Sequence, residues 1–98
     1  MNDQIKAALD ELEALGSVEA IADFLLKEGC KGERKEVRCC PIAKFLTRRI
    51  GTPAIAAIDH CYEAGLAEDS VDSPPLVIGF IEAFDSKKFP ALIDRRPA

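Results

Sequence analysis

The stretch Thr52-Pro53-Ala54-Ile55-Ala56-Ala57-Ile58-Asp59-His60-Cys61-Tyr62-Glu63-Ala64-Gly65 decides whether this 98-residue chain is purely helical or carries a sheet. Thr52-Pro53 is a good helix start, Ile55, Ile58 and Tyr62 fit helical spacing, and Gly65 would serve as the stop. The same residues also read as a strand pair, with Ile58, His60 and Tyr62 alternating on one face and a turn before Val71. Local rules alone favour the helix. An all-α chain and an α+β chain both stand at this point.

The flanks are plainer. Upstream, Pro41 opens a helix at its first position, where the missing N–H removes no bond. Ile42, Phe45, Leu46 and Ile50 form its inner stripe, Arg48 and Arg49 suit the negative end of its dipole, and Gly51 ends it. Residues 30–39 read as a loop. Before it, Ser17 caps a helix whose inner stripe is Val18, Ile21, Ala22 and Leu25, with Gly29 as its left-handed stop. A first helix spans Asp3 to Leu15 on Ile5, Ala8, Leu9, Leu12 and Leu15, so the first two helices form a hairpin about Gly16-Ser17. Downstream, Ser73-Pro74-Pro75 breaks the chain and starts a helix whose amphipathic stripe reads most clearly, on Leu76, Val77, Phe80, Ile81 and Phe84. Phe89, Leu92 and Ile93 are expected to tuck back as anchors around Pro90, and Asp94 to Ala98 to form a frayed tail.

Three segments carry a resemblance. They are Leu25-Leu26-Lys27-Glu28-Gly29-Cys30-Lys31-Gly32-Glu33-Arg34, then Cys40-Pro41-Ile42-Ala43-Lys44-Phe45-Leu46, and Phe80-Ile81-Glu82-Ala83-Phe84-Asp85-Ser86-Lys87-Lys88-Phe89-Pro90-Ala91-Leu92. Their order and spacing resemble a family of small uncharacterised proteins from actinobacteria and their phages. The shared pattern is a Gly-x-x-Gly turn, a Cys-Pro-Ile-Ala-x-aromatic-Leu helix start and a closing Phe-Asp-x-x-x-aromatic-Pro-x-Leu. The resemblance implies a strand pair in the region matching Ala54 to Val71, although this chain is richer in alanine there. It implies a phage or mobile-element setting and no reaction. With it, the expected fold is a small single α+β domain over residues 1–98, mostly helical, with about four helices and a short β-hairpin.

Composition narrows the function classes. The chain is 48% hydrophobic, enough for one ordinary domain with a modest core and little room for a deep cleft, so no enzymatic activity is expected. The longest apolar runs, Ala54–Ile58 and Leu76–Ile78, fall far short of the ~20 residues of a membrane span. No secretory leader pattern opens the sequence, and a cytoplasmic location is expected. The net charge of −4 opposes nonspecific nucleic-acid binding, but the charge is segregated. Residues 27–50 carry +5 between a block of −5 and a block of −7, and residues 87–98 carry +3. Complementarity between neighbouring elements explains such a pattern, as does a small basic face for phosphate or an acidic partner.

Cysteine is the chemically suggestive residue, at Cys30, Cys39, Cys40 and Cys61, with the single histidine His60 beside the last. Cys30, one of Cys39 or Cys40, His60 and Cys61 would make a zinc set, but their spacing matches no ribbon or finger. Cys40 sits at the expected N-cap of the Pro41 helix. There the free N–H groups of Ile42 and Ala43, and Arg38 if it faces the same way, would lower its pKa and create a reactive thiol resolved by Cys30. The competing reading is a small buried hydrophobe. Lys31, Arg34, Lys35, Arg38, Lys44, Arg48 and Arg49 form the candidate basic face, with Lys44 and Arg48 one helical turn apart. No cofactor is called for. The expected role is protein interaction or accessory regulation, with a metal or thiol switch and a weak nucleic-acid contact as alternatives.

Overall fold

The computed structural model describes residues 2–93, so the tail expected at Asp94 to Ala98 lies outside the described residues. Its elements are α1 (Asp3–Glu13), α2 (Val18–Lys27), α3 (Pro41–Ile50), β1 (Ala54–Ala56), β2 (His60–Glu63), β3 (Val71–Asp72) and α4 (Pro75–Asp85). Short 3-10 turns occupy Ala67–Asp69 and Pro90–Leu92. The chain is α+β, and the all-α alternative is excluded by the sheet.

Each helix starts where its cap chemistry dictates. Asn2 Oδ1 accepts the Ile5 N–H at 3.1 Å, and Ser17 Oγ accepts that of Ala20 at 3.0 Å. Such caps stabilise a helix by about 1 kcal/mol each. Cys40 caps α3 through its sulfur, 3.4 Å from Ala43 N. Helix α4 begins after two prolines and has no local side-chain cap. A carboxylate from elsewhere supplies one: Glu13, the last residue of α1, accepts the Leu76 N–H at 3.0 and 3.3 Å. Helix α1 is two residues shorter than its apolar spacing predicts. The chain turns after Glu13, and Leu15 is exposed rather than part of the stripe.

Helix α1 packs on α3 and α4, α2 on α4, and α3 on β1. Ile5, Leu9, Leu12, Ile21, Leu25, Ile42, Phe45, Leu46, Val77, Phe80 and Phe84 are the large buried residues between them. Phe89 stacks on Phe80 with centroids 5.5 Å apart, and Leu92 is fully buried, which fulfils the expected anchoring around Pro90.

The sheet has the order β1-β2-β3, all antiparallel, with Ile55 opposite Tyr62 and Cys61 opposite Val71. The hairpin is present, and β3 adds a third strand that the sequence did not announce. Ala54, Ala56, Cys61 and Val71 join the core, while Ile55, Tyr62 and His60 alternate onto the opposite face. Ile58 lies in the turn between β1 and β2 and is exposed, so it does not share the strand face expected for it. The outer edge of β1 is closed. Ala56 donates its N–H to the Val37 carbonyl at 2.9 Å, and Ala54 donates to Thr47 Oγ1 at 3.0 Å.

The loop from Cys30 to Cys39 is held by backbone contacts. Gly29 leaves α2 in the left-handed region (φ 73°), which costs glycine little. Gly32 donates to the Leu92 carbonyl at 2.9 Å, and Glu33 donates to the Cys39 carbonyl at 2.8 Å. A Cβ on Gly32 would lie 2.0 Å from the Cys39 carbonyl oxygen and 2.7 Å from the Cys40 carbonyl carbon. Only glycine fits there. Substitution Gly32→Ala is expected to destabilise the domain by about 3 kcal/mol or more, because backbone must move. That corresponds to a fall of more than about 10 °C in Tm. At Gly16 a Cβ would meet nothing within 4 Å, so Gly16→Ala meets only the backbone penalty of its φ of 91°, about 1 kcal/mol. Thermal melts of the two variants check the difference.

Candidate functional site

The four cysteines are all free thiols, and their placement separates them. Cys30, Cys40 and Cys61 are 1%, 3% and 0% exposed, and only Cys39 is partly open to solvent. Among the described residues, no three His, Cys, Asp or Glu side chains gather in a group able to hold a metal ion. The set of Cys30, Cys39 or Cys40, His60 and Cys61 is therefore not assembled. His60 instead stands on the open face of β2, its Nδ1 2.7 Å from Asp59 Oδ1 and its ring stacked on Tyr62. The bond to His60 holds the Asp59 carboxyl below its usual range.

Cys40 occupies the N-cap as expected, but the thiol chemistry expected there is reversed. Burial pushes its pKa up, and this outweighs the lowering by the Ala43 and Ile42 N–H groups. Asp85 and Cys39 act on it in the raising direction, whereas Arg38 lines a different concavity. Burial raises Cys30 too, against the opposing pull of Arg48. Cys61, enclosed and 3.5 Å from Ser73 Oγ, is pushed up to about 11. These three behave as small core residues, which removes the physical basis for a reactive Cys40 resolved by Cys30.

The basic group divides by function. Arg49 is committed to structure: its guanidinium makes two bonds to the Glu11 carboxylate, at 2.5 and 2.8 Å, and lies over the Phe45 ring. Arg34 donates to the Asp85 carbonyl at 2.9 Å, tying the loop to the end of α4. Lys35 takes a left-handed conformation (φ 61°), and its backbone N–H is held by Asp85 Oδ1 at 2.8 Å. Lys31 projects from the exposed surface beside Gly32. The remaining three converge. Arg38 from the loop and Lys44 and Arg48 from α3 line one open concavity of about 460 Å³.

The floor of this concavity is neutral and comes from residues with no chemical signature in the sequence, Thr47, Pro53, Ala54 and Ala64. The Thr47 hydroxyl accepts the Ala54 N–H, which fixes α3 against β1. Arg48 lines the concavity, and its guanidinium donates to the Glu28 carbonyl at the end of α2. Helical spacing on α3 already placed Lys44 and Arg48 together. The arrival of Arg38 beside them depends on the loop's closure at Gly32 and was not readable from spacing.

Two outcomes follow from the thiol environments. Without denaturant, Ellman's reagent is expected to label one thiol per chain, at Cys39, and all four in denaturant; Cys39→Ser should abolish the native labelling. The second concerns alkaline pH. An unfolded cysteine titrates near ~8.5, whereas folded Cys61 keeps its proton to about 11. Its contribution is full below the unfolded value and is lost as pH rises towards the folded one, at about 1.4 kcal/mol per pH unit. Cys30 and Cys40 shift in the same sense. Urea midpoints at pH 8 and pH 10.5 should fall more for the natural chain than for Cys61→Ala. Compared with known proteins, the chain matches no family model, no curated sequence and no solved structure.

Proposed function

We propose that this domain is a non-catalytic protein-interaction module that takes an acidic segment of its partner at the concavity of Arg38, Lys44 and Arg48. The observation that carries this reading is the convergence of three cations from two segments on one depression with a neutral floor. A carboxylate-bearing chain complements the positive charge that these side chains bring to the concavity, whose other described lining residues, Thr47, Pro53, Ala54 and Ala64, are neutral. Duplex or single-stranded nucleic acid is the weaker fit. It needs a longer basic track and exposed rings for stacking. Here Arg34, Arg48 and Arg49 are all bonded within the protein itself, and the aromatic ring of α3, Phe45, is buried. The accessory role in a phage or mobile-element setting, implied by the sequence resemblance, belongs to the same proposal.

Fluorescence anisotropy tests it with a labelled peptide containing a run of glutamates and a labelled DNA duplex of equal charge. The peptide is expected to bind in preference to the duplex. Arg38→Glu and Lys44→Glu should each weaken it by about tenfold, a typical consequence of reversing a contact charge. Unchanged binding by both variants, or preference for the duplex, would overturn the proposal.

A further inference from the structure

Residues 34–38 differ from the loop that carries them. On either side the chain is fixed. Gly32 is buried against the Cys39–Cys40 backbone, and the Glu33 N–H donates to the Cys39 carbonyl at 2.8 Å, which ties the two ends of the segment together. Between these ends no side chain is buried, Arg34 being half-buried and Lys35, Glu36, Val37 and Arg38 exposed. Hydrogen bonds join the segment to other elements. Arg34 donates to the Asp85 carbonyl at 2.9 Å, the Lys35 N–H donates to Asp85 Oδ1 at 2.8 Å, and the Val37 carbonyl accepts the Ala56 N–H at 2.9 Å. The first two converge on one residue, the last of α4. The closed form also holds Lys35 in the left-handed region at φ 61°, which an L side chain resists. A segment with no buried side chain opens at far lower cost than the whole domain unfolds.

We infer that residues 34–38 form a hinged flap that pivots on the Glu33–Cys39 pair and is latched by Asp85, and that its state sets the shape of two depressions. Val37 and Arg38 are consecutive, yet they line different ones. Arg38 lines the basic concavity, whereas Val37, with Ile58, walls an apolar hollow of about 360 Å³ whose lining includes Cys40, Ala56 and Ile81. Lifting the flap changes both at once. It withdraws Arg38 from Lys44 and Arg48, and it takes Lys35, Glu36 and Val37 from the hollow. It also frees the Ala56 N–H, while the Ala54 N–H on the same strand stays bonded to Thr47 Oγ1. The motion is set by the flap's own bonds, so it occurs whether or not the concavity takes an acidic segment.

Native-state hydrogen exchange, followed by NMR on the full chain, tests the flap. After correction for intrinsic rates, the Lys35 and Ala56 amides are expected to exchange together, about tenfold or more faster than those of Glu33 and Ala54. Asp85→Ala removes the acceptor of the Lys35 N–H. It should speed Ala56 about tenfold relative to Ala54, the typical effect of losing a hydrogen bond to a charged group. Ala56 is the diagnostic amide, because its own acceptor is Val37 and not Asp85. Lys35→Gly keeps the N–H and relieves the left-handed residue, so it should slow Ala56 roughly threefold relative to Ala54. Equal exchange of Ala56 and Ala54 in the natural chain overturns the flap, as does an Ala56 to Ala54 ratio that Asp85→Ala leaves unmoved. The natural-chain comparison needs no variant to fold, and thermal melting verifies the two variants.

Discussion

The backbone of Gly32 lies against the Cys39–Cys40 peptide, closer than any side chain would allow. From that contact the rest of the loop is set. Glu33 bonds to the Cys39 carbonyl, Gly32 bonds to Leu92 beyond α4, and Arg34 and Lys35 are drawn to Asp85 at the end of α4. The loop thereby joins the start of α3 to the end of α4, and the contact places Cys40 at the helix start. It also brings Val37 and Arg38 over the edge of β1. A single residue without a side chain lets three elements meet.

The fate of Cys40 illustrates how two correct physical effects are ranked. A helix N-terminus does stabilise a thiolate, and the Ala43 N–H does point at the sulfur. The same position is sealed beneath the 30–39 loop and α4, and desolvation acts on the full charge whereas the N–H groups supply only part of one. Sequence reveals the cap but not the seal. Cap chemistry depends on residues three apart, while burial depends on Ile81 and Asp85, some forty residues away.

The same distinction governs how much of the fold was legible. Three helices carried their own start signals in Ser17, Pro41 and the paired prolines at 74–75, and the apolar stripes named the core. The sheet did not, because all three residues of β1 are buried. Ala54, Ile55 and Ala56 therefore show no alternation of polar and apolar types, and small alanines imitate a helix. β3 has two residues, too few for any period. The basic concavity was half legible, since Lys44 and Arg48 share a helix face while Arg38 reaches them only through the loop's fold. The apolar hollow between Val37 and Ile58 carried no sequence signal, because the two are twenty-one positions apart and neither belongs to a periodic stripe.

The two groups that occupy the outer edge of β1, the Val37 carbonyl and the Thr47 hydroxyl, both precede that strand in the chain. During synthesis they emerge before Ala54 does. An exposed strand edge is a template for pairing with another molecule, and nascent chains are most vulnerable to this while incomplete. Here the residues that guard the edge are synthesised before the edge itself. β1 thus takes its cover from its own chain, whatever the concentration of neighbouring copies.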